Sequence, residues 1–250
     1  MNTKDNTILI TGGATGIGFS LAETFLKAGN RVIICGRREG KLKEAREKLP
    51  QMLIRVCDVS DEKQRELLFN WAKDNFNGLN VIINNAGIQR AVNLKEGVRA
   101  LSAGENEIET NLVALIHLSA YFIPLLLKQK EAAIINVSSG LGFVPIASMP
   151  VYCATKAAVH SFTQSLRYQL RDTSIKVYEI IPPMVDTDLG KGTTEEGEQE
   201  FKGIPPSQVA AAVLTGMAND EYEIAVGAAK GLVIGSRANP EKAFQNINRW

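Results

Sequence analysis

The sequence predicts an α/β protein, a single domain over residues 1–250 built on a doubly wound parallel sheet of about seven strands with helices on both faces. Three observations predict it. Short β-branched runs recur along the chain, helical stretches separate them, and no break in composition divides the 250 residues. The strands are expected at Thr7–Thr11, Val32–Cys35, Leu53–Cys57, Asn80–Asn84, Ala133–Ser138, Ile175–Ile181 and Glu223–Val226.

The helices carry their own end signals. Gly16 to Ala28 reads as a helix stopped by Gly29, where a residue without Cβ takes the left-handed cap. Pro50 ends the helical stretch that closes with Arg46–Leu49. Ser60, before Asp61 and Glu62, reads as the N-cap of the next helix, with carboxylates at the positive end of its dipole. Leu189–Gly203, rich in Gly, Thr and Glu, reads as a mobile substrate loop at about 188–205, and residues from about 228 to 250 form a variable tail.

Composition excludes several classes of function. Lys+Arg 28 against Asp+Glu 27 leaves a net charge of +1, which gives no bulk attraction to nucleic acid or an anionic membrane. The apolar run Leu112 to Leu127 is broken by His117, Ser119 and Pro124 and falls short of the ~20 residues of a membrane span. The N-terminus turns glycine-rich before any signal-peptide core forms, so no membrane insertion and a cytoplasmic location are expected. Cys35, Cys57 and Cys153 are odd in number and form no CxxC pair, so they read as reduced, buried thiols. His117 and His160 sit in helical patterns without a second ligand at metal spacing and read as packed or exposed residues, and no metal is expected.

The first strand runs into Thr11-Gly12-Gly13-Ala14-Thr15-Gly16-Ile17-Gly18 and then a helix, where a Rossmann-type sheet binds a dinucleotide. Glycines allow a sharp turn and close approach to a pyrophosphate, and the helix start supplies free N–H donors. The second strand ends in Gly36-Arg37-Arg38 where an NAD-preferring site carries a carboxylate. Guanidinium matches a 2′-phosphate in charge and geometry, so NADP(H) is expected over NAD(H).

Tyr152 and Lys156 open a long helix and, four residues apart, share one face. A nearby ammonium stabilises phenolate and is expected to bring the tyrosine pKa toward the working range. Ser139 lies thirteen residues before Tyr152, just past the fifth strand, where a hydroxyl can polarise a substrate carbonyl. Adjacent Ser138 is its rival, and strand alternation lets at most one of the two face the site.

At this point the sequence resembles the short-chain dehydrogenase/reductase family. The matching residues are the Thr11–Gly18 turn, Asp58-Val59, Asn84-Asn85-Ala86-Gly87, Asn111, Ser139, and Tyr152 with Lys156. The resemblance implies that Gly12, Thr15, Gly16, Ile17 and Gly18 hold the pyrophosphate, Asp58 and Val59 meet the adenine, and Asn85, Ala86 and Gly87 wall the adenosine half. It implies Tyr152 as general acid in reduction and base in oxidation, and Lys156 on the nicotinamide ribose. Ser139 would bind the carbonyl oxygen, Asn111 hold a water relay, and Val185 and Thr187 meet the carboxamide. Within the family, Val32–Arg37, Pro150–Ala157 and Pro182–Thr187 are similar to a reductase-like branch encoded with the teichoic acid D-alanylation machinery of Gram-positive bacteria.

Two features depart from the family pattern. Pro182-Pro183 replaces the usual Pro-Gly after the sixth strand, and Glu223–Gly227 with the tail to Trp250 replaces the glycine-rich last strand. The expected activity is hydride transfer between NADP(H) and the carbonyl or alcohol group of a small molecule. The rival readings are a non-catalytic NADP(H)-binding regulator or scaffold tied to cell-envelope modification, and a hydrolase using Ser139. Phe143, Met149 and Met184 are candidate pocket residues. The stretches Glu105–Lys128 and Tyr152–Arg171 hold more apolar residues than one sheet face needs, and with the resemblance this implies a homodimer or homotetramer.

Overall fold

Alternation along each strand produces a core on two sides of the sheet. In the computed structural model, which describes residues 1–102, 104, 106–190 and 203–248, β1 (Thr7–Thr11) turns Ile8 and Ile10 to one layer and Leu9 to the other. The remaining strands are β2 (Arg31–Gly36), β3 (Leu53–Val56), β4 (Leu79–Asn84), β5 (Ala132–Val137), β6 (Ile175–Ile181) and β7 (Glu223–Ala225). All pair in parallel, in the order β3-β2-β1-β4-β5-β6-β7. The order reverses at β1 and β4, and their C-terminal ends open the crevice in which such sheets bind ligands.

The helices in chain order are α1 (Gly16–Lys27), α2 (Glu39–Lys48), α3 (Glu62–Asn75), α4 (Arg99–Ser102), α5 (Ala114–Leu126), α6 (Pro150–Gln169), α7 (Pro206–Ala218), α8 (Ala229–Ala238) and α9 (Pro240–Ile247). Phe25 of α1, Leu42 of α2 and Val209 of α7 close one face over Ile10, Ile34 and Ile180. Leu68 of α3, Phe122 of α5 and Leu166 of α6 close the other over Leu9, Ile33 and Ile134. Each such fully buried side chain contributes about 1.5–3 kcal/mol, so the sheet is a rigid base for its loops.

Gly29 ends α1 with φ +88, as its left-handed cap requires. The start of α3 differs from expectation. Its cap is Asp61, whose carboxylate accepts Lys63 N–H at 2.9 Å and Gln64 N–H at 3.2 Å. Ser60 instead turns back, its N–H and O–H both donating to Asp58 Oδ1 at 2.9 and 2.7 Å. The nearer carboxylate claims the hydroxyl before the helix can.

β6 leads into Pro182-Pro183 and still delivers Val185 to a parallel bridge with Ile204, while Gly140 N–H donates to Pro182 O at 3.0 Å. Most of the expected substrate loop, residues 191–202, lies outside the described residues. The tail forms α8 and α9, after which Asn248 accepts Ala147 N–H at 2.7 Å and donates to Pro145 O at 3.0 Å. It therefore ties down the segment before α6. Glu109–Leu126 is long and apolar enough to cross a membrane by length and composition, yet Leu115, Leu118, Phe122 and Leu126 on it are buried in this fold.

Candidate active site

The glycine turn is built by close approach. Gly12 and Gly16 take φ +64 and +55, and a Cβ on Gly18 would stand 2.3 Å from Gly12 O. The turn is locked to β4 by two side chains. Thr11 Oγ1 accepts the N–H groups of Asn85 and Ala86, both at 3.0 Å, and Asn85 Nδ2 donates to Thr11 O at 2.9 Å and Gly12 O at 3.2 Å. Thr15 begins α1 without a side-chain capping bond, so the first N–H groups of Gly16, Ile17 and Gly18 are left for an anion.

The residues expected at the adenosine half lie just past the ends of β2 and β3. Arg37 and Arg38 are exposed at the end of β2, and an Arg38 Nη donates to Thr15 Oγ1 at 3.4 Å. Asp58 is fixed by Ser60 and by its own N–H, which donates to Gln64 Oε1 at 2.8 Å. Val59 is buried, and its carbonyl accepts the buried Arg65 guanidinium at 2.6 Å. Arg65 also pairs with Glu109 at 2.9 Å and approaches His117 Nδ1 at 3.4 Å. These residues offer a glycine cradle, an open helix start and cations beside it, a donor set that fits a phosphorylated dinucleotide.

Asn111 lies in a π-helical turn, Glu109–Val113, leading into α5. Its amide donates to Ile88 O at 2.8 Å and Thr155 Oγ1 at 3.1 Å, and its Oδ1 accepts Ile88 N–H at 2.8 Å. The side chain thus braces the loop after β4 against α6. Gly87 lies between this brace and Lys156, since a Cβ there would sit 3.3 Å from Asn111 Oδ1 and 3.6 Å from Lys156 Nζ. Thr187 packs its methyl against Gly16.

Alternation separates the two serines. Ser139 accepts Leu141 N–H at 3.1 Å and acts on the Tyr152 hydroxyl, favouring its ionised form, whereas Ser138 donates to Glu179 Oε1 at 2.5 Å. Tyr152 and Lys156 are both buried on α6. Burial pushes Tyr152 up to about 12, only partly offset by Ser139, and pushes Lys156 down to about 8, with the nearby Glu179 carboxylate opposing that shift. The expected lowering of the tyrosine by the lysine is therefore not what the protein groups alone produce. Lys156 Nζ stands 5.7 Å from the Tyr152 ring centre and donates to Val137 O at 2.9 Å, so desolvation dominates.

Several charged groups had no sequence signal of their own. Glu107 is buried, accepts Arg90 N–H at 3.0 Å, and lies 3.5 Å from Arg90 Nε. Burial raises its carboxyl pKa, and its field reaches Tyr152. Neither belongs to a motif. His160 also differs from expectation, since its Nδ1 lies 2.8 Å from Glu179 Oε2. The sequence could not show this because Glu179 arrives from β6. Its signal was a lone carboxylate inside an apolar strand.

The other expected bystanders fall around this centre. Cys153 Sγ accepts Ile146 N–H at 3.4 Å and is structural, and Cys35 and Cys57 are buried free thiols. Phe143 packs on the His160 ring at 4.3 Å, Met149 precedes α6 half-buried, and Met184 is exposed. No histidine is bonded to Ser139 among the described residues, so a serine hydrolase lacks its base.

Comparison with known proteins agrees with this geometry. The short chain dehydrogenase family model matches residues 6–198. DltE of Bacillus subtilis (strain 168), named an uncharacterized oxidoreductase, is 47% identical over 248 residues, covering 99% of this chain and 98% of the relative. Two solved structures superpose with a TM-score of 0.83 each. One is a short chain dehydrogenase/reductase from Burkholderia phymatum in complex with NAD, 21% identical, covering 99% of this chain and 97% of that one. The other is a short chain dehydrogenase from Burkholderia cenocepacia J2315 in complex with NADP, 24% identical, covering 100% of both. With a turn built of glycines, and Tyr152 and Lys156 buried one helical turn apart on α6, the chain belongs to the short chain dehydrogenase family of oxidoreductases.

Proposed function

We propose that this oxidoreductase is an NADP(H)-dependent carbonyl reductase or alcohol dehydrogenase acting on a small cytoplasmic molecule. The observation that carries the reading is the pair Tyr152 and Lys156, both buried and one turn apart on α6 with the Lys156 Nζ 5.7 Å from the Tyr152 ring centre, at the mouth of β5 where Ser139 follows the strand. A nicotinamide cofactor supplies or accepts the hydride. Tyr152 gives its proton to the carbonyl oxygen in reduction and takes it from the alcohol in oxidation, and Ser139 steadies the oxygen as charge develops.

The cofactor is held by the residues already described. Gly12, Thr15, Gly16, Ile17 and Gly18 take the pyrophosphate, Asp58 and Val59 the adenine, and Asn85, Ala86 and Gly87 line the adenosine half. Val185 and Thr187 take the carboxamide and Lys156 the ribose beside it. Asn111 braces this wall and, by its position, serves the proton relay. Arg37 and Arg38 favour the 2′-phosphate, because each charge-assisted contact contributes about 1.5–3 kcal/mol.

The test is NADPH oxidation with a panel of ketones, aldehydes and quinones. Tyr152→Phe is expected to lower turnover about a hundredfold or more while leaving NADPH binding nearly intact. A variant that keeps full activity on a reduced substrate overturns the assignment.

A further inference from the structure

The backbone after β3 leaves a single N–H free. Asp58 to Asp61 form a tight turn, in which Asp61 N–H donates to Asp58 O at 3.2 Å and Ser60 N–H to Asp58 Oδ1 at 2.9 Å. Asp58 N–H goes to Gln64 Oε1 at 2.8 Å, and the Val59 carbonyl, in the central peptide of the turn, accepts from Arg65 Nη1 at 2.6 Å. Among the described residues, the Val59 N–H takes no hydrogen bond.

Arg65 is an unusual residue to find on the inner side of α3. Only 1% of its surface is exposed, and a hydrocarbon side chain of similar volume stabilises an interior as well or better. Its Nε has no partner among the described residues, so the surroundings are not arranged merely to satisfy a buried cation. What a hydrocarbon cannot do is join two segments through one nitrogen. Nη1 meets Glu109 Oε1 at 2.9 Å as well as Val59 O, so its two hydrogens tie the Asp58–Asp61 turn to the π-helical turn Glu109–Val113. Nη2 lies 3.4 Å from His117 Nδ1 on α5, which restrains the plane of the guanidinium.

The two joined segments share one small cavity. Val59 lines it from the first and Thr110, next to Glu109, from the second, and Thr11, Ala86 and Ala114 complete its wall. A flat heteroaromatic base suits a slot of this lining. The free Val59 N–H selects a base that presents an acceptor nitrogen to it.

We propose that Arg65 is the positioning residue of the base subsite and a determinant of its specificity. By holding Val59 and Glu109 at once, it fixes the spacing of the slot and presents the Val59 N–H to the N1 acceptor of adenine. This deepens the cofactor reading given above and rests on it.

The experiment compares NADPH with its deamino analogue, in which hypoxanthine replaces adenine and N1 carries a hydrogen. Both are titrated by the fluorescence of the reduced nicotinamide, so neither substrate nor turnover is needed. The wild type is expected to bind NADPH about tenfold more tightly than the analogue, because the analogue sets donor against donor. Arg65→Met is expected to narrow that preference to about threefold or less, by weakening NADPH more than the analogue. A purely structural role would weaken both dinucleotides alike, so an unmoved ratio overturns the proposal, as does a wild type without preference. The ratio is independent of the fraction of protein that is folded. Should Arg65→Met not fold at all, Glu109→Gln decides, since it removes the charge that seats the guanidinium. It is expected to narrow the preference in the same direction, and an unchanged ratio there also overturns the proposal. A wild type that binds neither dinucleotide would bring down the cofactor reading itself, whereas NADPH binding with an unmoved ratio sinks this inference alone.

Discussion

Burial places opposite demands on Tyr152 and Lys156. Lys156 falls from 10.5 to about 8, so between those values the unfolded chain binds the proton that the folded chain has released. Below pH 8 the buried ammonium therefore costs roughly 3 kcal/mol, and that cost fades as pH rises toward 10.5. Tyr152 runs the other way. Raised from 10.0 to about 12, its stabilising contribution is complete below pH 10 and lost as pH climbs through 12. The stability difference between Lys156→Met and the wild type is thus expected to move in the wild type's favour from pH 8 to 10, as read by urea unfolding; a constant difference would contradict it. At the other end of the cofactor site, Arg37→Asp is expected to weaken NADPH about tenfold to a hundredfold and to improve NADH, as read by fluorescence titration. Unchanged NADPH affinity would remove Arg37 from the 2′-phosphate site.

Among the elements, those whose ends are set locally were legible. The run Thr7–Thr11 and the turn after it appear where the sequence puts them, because β-branched residues and glycines act on their own backbone. The start of α3 was not, since Ser60 and Asp61 are both good caps and the choice fell to Asp58, which holds Ser60. Asp61→Ala is accordingly expected to lower the thermal midpoint more than Ser60→Ala, and the reverse order by calorimetry would restore the serine cap. At the glycine turn, Gly18→Ala would set a methyl 2.3 Å from Gly12 O. It is expected to cost about 1–3 kcal/mol or more and to abolish dinucleotide binding. Normal NADPH binding in a folded Gly18→Ala protein would show that the turn opens elsewhere.

For the whole molecule, the apolar surplus on α5 and the π-helical turn before it has a visible consequence. Leu112, Val113 and Ile116 are half-buried and belong to neither sheet-facing core. Their burial against a second copy is the expected basis of a homodimer or homotetramer. Ile116→Glu is expected to shift the light-scattering mass toward the monomer, and a wild-type monomer would refute the assembly itself. The sequence by itself determined the seven strands, the glycine turn, the arginines after β2 and the Ser139–Tyr152–Lys156 set, since each rests on local spacing or side-chain chemistry. Tertiary structure decided what depends on residues distant in the chain. It seated Glu179 of β6 against Ser138 and His160, turned Asn111 into a brace between Ile88 and Thr155, and closed Asn248 onto Pro145. It also reversed the expected shift of Tyr152, because desolvation is a property of the assembled interior and no pair of residues four apart in a sequence reveals it.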